Sequence, residues 1–208
     1  MTGPPGRNRI LGAILAGGRA TRMDGLIKGM IPTPDGRTVI RRLLDEFAAA
    51  GIDEAILVAN DRGPYEHLGV TIVPDIRPGL GPLAGIEAAL TWSTRPGEPF
   101  DAVAFLPCDL PRITATEISA LIAAFHGGRA HILVAETGKG FCQALCCVVH
   151  NDALPRVAAR IDRGLLGVSA AWCDLGAATV HFDDEAAFAN LNTPNDLDQW
   201  KALEGKDL

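Results

Sequence analysis

The chain has 208 residues, 48% of them hydrophobic and 21% charged, with a formal net charge of -6. That length holds one ordinary domain with a buried core, and the apolar content excludes a disordered chain. The acidic balance argues against a nucleic-acid partner while leaving room for a local basic cluster around a phosphate.

Residues 1–9 carry Pro, Gly and Arg and lead straight into a strand-like run, which matches neither a secretory leader nor a transit peptide. No apolar run approaches the roughly 18 residues of a membrane span, so the expected location is the cytoplasm, with no membrane partner. Residues 10–15 are the first strand. Thr38 opens a helix with Val39, Leu43 and Phe47 on one stripe and Ile40, Leu44 and Ala48 beside it, closed by Gly51. Residues 54–59 and 71–73 read as the second and third strands, and residues 83–93 as a helix turning Leu83, Ile86 and Leu90 inward. The run 102–106 is the most apolar, as a central strand covered on both faces requires. Thr114 and Glu117 form a capping box for a helix ending near Gly127.

Beyond residue 130, strand-like runs at 130–136 and 144–150 flank Thr137-Gly-Lys-Gly140 and suit an antiparallel pair. Residues 151–161 and 165–174 read as helices and 179–182 as a strand. Thr193-Pro194 supplies the N-cap and first turn of a last helix running to about residue 203. The alternation of strands and helices implies a largely parallel sheet. With no repeat or long linker, residues 1–208 are expected to form one mixed α/β domain, residues 1–8 a flexible tail. The five cysteines show no Cys-x-x-Cys pair and no zinc-finger spacing, so they are expected to be reduced core thiols.

Ligands of open α/β sheets gather at the carboxyl ends of the strands. After the first strand come Leu15, Ala16, Gly17, Gly18, Arg19, Arg22, Gly25 and Lys28. Glycines there admit an anion to the backbone, and Arg19, Arg22 and Lys28 neutralise it. The loop is neither a Walker A motif nor Gly-x-Gly-x-x-Gly, and on glycine and charge counts alone a flexible connection with solvated charges explains it equally well. After the third strand, Asp75 and Gly79-Leu-Gly81-Pro82 lead into a helix whose first amides suit a base edge or a phosphate, or a turn alone. The fourth strand ends Leu106-Pro-Cys-Asp109-Leu-Pro111, a carboxylate at the strand tip. Because Thr114 already caps the next helix, Asp109 reads better as a ligand of Mg²⁺, an ion usually held by one or two carboxylates plus substrate phosphates.

Leu-Ala-Gly-Gly at 15–18, Arg22-Met23, Lys28-Gly29, Asn60, Asp75, Gly81-Pro-Leu-Ala-Gly85, Pro107-Cys-Asp109-x-Pro111, Gln143 and Asn190-Leu-Asn-Thr-Pro-Asn-Asp-Leu197 follow one another in a specific order. In that order and spacing the chain resembles, over nearly its whole length, the molybdenum cofactor guanylyltransferases, within the larger nucleotidyltransferases of sugar phosphates and related acceptors. The resemblance implies a three-layer, Rossmann-like α/β nucleotidyltransferase fold with a mostly parallel central sheet and a smaller antiparallel element in the C-terminal third. It also implies transfer of GMP from GTP to the phosphate of molybdopterin, with Mg²⁺ as cofactor and pyrophosphate as product. On the same resemblance, Lys28, Arg22 and Asp109 are catalytic, and Asp109 holds the metal. Leu15, Ala16, Gly17, Gly18, Lys28, Asn60, Asp75 and Gly81 bind the nucleotide, while Gln143, Asn190 and Asn192 face the acceptor or the metal. Gly17 stands where cytidylyl and sugar-phosphate relatives commonly carry Ala, which favours the larger guanine ring. Three positions depart from the pattern: Asp24 in a glycine place, Ile27 for the Asp before Lys28, and Ala144 for the Pro after Gln143. The change at Ile27 removes a partner expected to orient Lys28. The alternatives are a cytidylyl- or sugar-phosphate nucleotidyltransferase on this scaffold and a nucleotide-binding protein without turnover.

Overall fold

The computed structural model describes residues 9–17, 22–23, 26–97, 99–193, 196, 198 and 200. In chain order the elements are β1 (Ile10–Leu15), β2 (Arg22–Met23), β3 (Leu26–Ile27), α1 (Val39–Ala49), β4 (Ala55–Val58), β5 (Thr71–Val73) and α2 (Pro82–Ser93). They continue as β6 (Ala102–Pro107), α3 (Ala115–Gly127), β7 (Ile132–Thr137), β8 (Phe141–His150), α4 (Leu154–Asp162), α5 (Val168–Leu175) and β9 (Ala178–Phe182). The expected tail at 1–8 lies outside the described residues, and so does most of the expected last helix.

Side chains of β1 alternate between two cores: Leu11, Ala13 and Leu15 enter one, Ile14 the other. Burial on both faces makes β1 an interior strand, paired in parallel with β4 and β6. The sheet has seven strands in the order β5-β4-β1-β6-β8-β7-β9, and β2 and β3 form a separate antiparallel ribbon. β8 runs antiparallel to both its neighbours, whereas β9 is parallel to β7. This is the mostly parallel sheet with a C-terminal antiparallel element that the sequence implied. Phe47 of α1 and Phe125 of α3 pack in the core on one face. Leu83 of α2, Val157 of α4 and Trp172 of α5 pack in the core on the other, completing three layers. The chain leaves β1 toward β4 and β5 and then returns to β6 on β1's other side, so the strand order reverses between β1 and β6. The carboxyl ends of those two strands flank the crevice where such sheets bind ligands.

Several elements differ from expectation. α2 buries Ala84, Gly85, Ala88 and Ala89 as well as Leu83, Ile86 and Leu90, because it is covered on nearly every side. β8 begins at Phe141, and its pairing with β7 jumps from Val134↔Cys147 to Ala135↔Gln143. The extra residues bulge, and the Trp172 indole N–H donates to the Ala144 carbonyl there at 2.7 Å. Short 3₁₀ turns at Gly63–Leu68 and Glu185–Phe188 carry no periodic signal in the sequence. Cys108, Cys146 and Cys147 are buried as expected, but Cys142 and Cys173 are exposed. Cys142 lies in the uncovered first residues of β8, and Cys173 on the outer face of α5. Burial pushes the Cys108 thiol up to about 12, which keeps it protonated and unreactive.

The capping box of α3 forms as expected, with Glu117 accepting from the Thr114 backbone N–H at 2.9 Å and the Thr114 hydroxyl accepting from the Thr116 N–H. Thr114→Ala removes that acceptor, and a loss of about 1 kcal/mol is expected. In a chain of this size that lowers the melting temperature by roughly 2–4 °C, readable by thermal circular dichroism.

Candidate active site

Lys28 begins a 3₁₀ turn, Lys28–Met30, directly after β3. The turn sits on α1 so closely that a Cβ on Gly29 would fall 2.7 Å from Ile40 Cγ1 and nearer still to Cδ1. A larger residue there would have to displace the buried Ile40 side chain. The turn draws Lys28 inward until the residue is 5% exposed, which rules out a solvated surface charge. Its Nζ donates to Asp109 Oδ2 at 3.2 Å and to Asn192 Oδ1 at 2.7 Å. The expectation that Lys28 lacks an orienting partner is therefore corrected: Asp109 and Asn192 orient it, and Ile27 instead packs against the core on the α1 side.

Asp109 owes its place to the sheet. The Cys108 N–H donates to the Leu15 carbonyl at 3.1 Å, which carries the β1–β6 pairing one residue past β6. The Asp109 carbonyl then accepts from the Leu191 N–H at 2.8 Å, tying the strand tip to the Asn-Leu-Asn segment. Asp196 fixes that segment from below: its Oδ2 accepts from the amides of Asn192 at 2.9 Å and Thr193 at 2.8 Å. Those two amides hold the Asp196 carboxyl below the usual carboxylate range. Asp196 was not singled out from the sequence, although Thr193 and Asp196 have capping-box spacing, and the Thr193 hydroxyl does accept from the Asp196 N–H at 3.2 Å.

On the other side of β1, the Ala16 N–H donates to the Val58 carbonyl at 2.9 Å, and the Tyr65 hydroxyl donates to the Ala16 carbonyl at 3.4 Å. Leu15 and Ala16 are thus held in the sheet, and Gly17 is the first exposed residue of the loop. Among the described residues, a Cβ on Gly17 would meet the Val58 carbonyl at 3.7 Å, an ordinary van der Waals contact. At the tips of β4 and β5, Asn60 Nδ2 donates to Asp75 Oδ2 at 2.7 Å while the Asp75 N–H donates to Asn60 Oδ1 at 2.9 Å. Gly81 caps α2 with φ of 77°, a conformation that favours glycine and turns the chain into Pro82. Gln143 donates to the Thr137 hydroxyl at 3.1 Å, within the β7–β8 hairpin. Asn190 is exposed beside Leu191. Of the expected site residues, Lys28, Asp109 and Asn192 form one bonded cluster and Asn60 and Asp75 another, while Gln143 bonds apart from both. Gly18, Arg19, Asp24 and the side chain of Arg22 lie outside the described residues.

The Lys28 ammonium rests between a carboxylate oxygen and an amide oxygen, both hard donors of the kind Mg²⁺ takes. The Asp109 side chain is 20% exposed, enough to reach a cation carried in by phosphates. The donor set therefore fits an ion held by one carboxylate and its substrate.

The sequence profile of the MobA-like NTP transferase domain matches residues 12–174. A molybdenum cofactor guanylyltransferase from Yersinia pestis (strain Pestoides F) is 30% identical over 194 residues, covering 92% of this chain and 95% of that protein. Among solved structures, the molybdopterin-guanine dinucleotide biosynthesis protein A from Archaeoglobus fulgidus is 21% identical, with a TM-score of 0.76 over 94% of this chain and 99% of that one. A 4-diphosphocytidyl-2C-methyl-D-erythritol synthase from Anaerococcus prevotii is 14% identical, with a TM-score of 0.72 over 96% and 97%. At those identities the two structures speak to the fold alone. Among the described residues no helix is long and apolar enough to cross a membrane.

Proposed function

The chain belongs to the MobA-like NTP transferase family, and from that membership we propose that it transfers GMP from GTP to the phosphate of molybdopterin, releasing pyrophosphate. The observation that carries the reading is the buried Lys28 held between Asp109 and Asn192 at the reversal of strand order. An oxygen of the acceptor phosphate attacks the α-phosphorus, one P–O bond forms, and the bond to the bridging oxygen of pyrophosphate breaks. The acceptor is already ionised, so no protein nucleophile is required, and the work is alignment and charge control.

In the ligand-free chain Lys28 serves as the counter-ion of Asp109. A triphosphate offers that ammonium more negative charge, and Lys28 leaves Asp109 Oδ2 for it, freeing the carboxylate for a cation. Mg²⁺, when bound there, stabilises the charge that gathers on the departing pyrophosphate. Asn192 keeps the Lys28 side chain pointed into the crevice, and Asp196 keeps Asn192 in place. Arg22 and the backbone from Leu15 to Gly18 meet the remaining phosphate charge. Asn60, Asp75 and Gly81 complete the nucleotide side, and Gln143 and Asn190 the acceptor side.

Incubation with GTP, Mg²⁺ and molybdopterin should release pyrophosphate. Bound GTP without pyrophosphate would mean a nucleotide-binding protein that does not turn over. The base is tested separately. Glycine at position 17 in place of the Ala of cytidylyl relatives favours guanine, whose ring N–H, amine and carbonyl a loop backbone can pair, and a base lacking those groups leaves buried partners unsatisfied at about 1–3 kcal/mol each. GTP is therefore expected to raise the melting temperature more than CTP at equal Mg²⁺. A larger shift with CTP would favour a cytidylyltransferase.

A further inference from the structure

We propose that His131, His150 and Asp152 form a binding site for one divalent cation of the Zn²⁺ or Ni²⁺ class, at the edge of the sheet opposite Lys28. His150 pairs with Ala102, the first residue of β6, whereas Asp109 follows the last. One ligand atom from each of the three residues lies within 4.8 Å of the others. His150 Nδ1 and His131 Nδ1 approach the same oxygen, Asp152 Oδ2, at 3.3 and 3.8 Å. Bonds of about 2.0–2.1 Å around a tetrahedral ion place neighbouring ligands about 3.3 Å apart. The first spacing already meets that figure. The others close by rotation of side chains that are 62% exposed at His131 and 70% at Asp152.

The backbone beneath the three ligands is fixed. The His150 N–H donates to the His131 carbonyl at 2.7 Å, which sets the two histidines side by side across β7 and β8. Between His150 and Asp152, the Asn151 N–H donates to the Asp101 carbonyl at 2.9 Å, and the Asn151 side chain accepts from the buried Ser93 hydroxyl at 2.6 Å. On such a frame the backbone loses little freedom when an ion arrives, and the ordering falls on the side chains of His131 and Asp152. His150 Nδ1 accepts from the Asp152 N–H at 3.2 Å, a bond that an ion held at that nitrogen would replace. The imidazoles meet edge to face, with centroids 5.4 Å apart, so neither ring covers the other's nitrogens by stacking.

Two imidazoles and one carboxylate select late first-row cations, whereas Mg²⁺ prefers six oxygens. The site therefore does not compete for the ion assigned to Asp109, and it stands whether or not the transferase reading does. An ion there ties β7 and β8 to the turn leading into α4.

Calorimetric titration of the full chain with Zn²⁺, in excess Mg²⁺, tests the site. One Zn²⁺ per chain is expected, bound about tenfold or more weakly by His131→Ala and by the double variant His131→Ala/His150→Ala, but unchanged by Asp109→Asn. Zn²⁺ should raise the melting temperature of the wild type and not of the double variant. Co²⁺ should give a spectrum without a thiolate charge-transfer band, which separates this site from Cys142 and Cys173. His131 is exposed, so the single variant carries the comparison if the double variant fails to fold. Absence of saturable Zn²⁺ uptake, uptake indifferent to both variants, or a thiolate band would overturn the assignment.

Discussion

Asp109→Asn is expected to lower turnover by about 10²- to 10³-fold, the usual cost of losing one electrostatic stabiliser of a charged transition state. The amide is isosteric, so the bonds that position the strand tip survive: Cys108 N–H to Leu15 and Leu191 N–H to the Asp109 carbonyl are both made by backbone. The side-chain oxygen still accepts from Lys28, but no longer carries charge. Lys28, 5% exposed, then lies between two neutral oxygens, which costs some stability without exposing any core. A melting temperature within a few degrees of wild type together with the loss of pyrophosphate release would support the assignment. Undiminished turnover would remove Asp109 from the chemistry.

Lys28→Met would separate the two roles proposed for that side chain, counter-ion of Asp109 and partner of the triphosphate. Methionine keeps the length and apolar stem, so the turn over Gly29 should persist, while the ammonium is lost. Hydrogen bonds to charged groups contribute about 1.5–3 kcal/mol, so GTP should bind about 10- to 10²-fold more weakly, with guanosine affected little. The second effect runs the other way. Without its internal counter-ion, Asp109 Oδ2 is free before nucleotide arrives, and Mn²⁺ used as a paramagnetic probe should bind the nucleotide-free variant more tightly than wild type. Equal losses for GTP and guanosine would reduce Lys28 to a packing element. Weaker Mn²⁺ binding would show that it is not the counter-ion of Asp109.

What the sequence displayed best was local. The Val39, Leu43 and Phe47 stripe and the Thr114–Glu117 box depend on neighbours three or four positions away, and both formed as expected. The apolar strand at 102–106 and the carboxylate just beyond it were visible because double burial leaves an uninterrupted apolar run. The partners of Lys28 were not legible, since Asp109 is 81 positions away and Asn192 is 164. Nor was the near-complete burial of α2, which arises from the strands beneath it and from α4 packed on it later in the chain, or the β8 bulge, whose carbonyl is satisfied by a tryptophan from α5. The substitution at Ile27 looked like a lost partner only because the residue that replaces it comes from so far along the chain.

The 164-position reach from Lys28 to Asn192 also bears on how the molecule comes into being. On the ribosome β1, β4, β5 and β6 are all made before residues 191–196. Until then Asp109 and Lys28 lack the segment that ties down the strand tip and holds the ammonium. A half-made chain thus carries the strands that flank the crevice without the segment that completes it. The same logic exposes a vulnerability after synthesis: a proteolytic cut between β9 and Asn192 would silence the centre while sparing most of the hydrophobic interior.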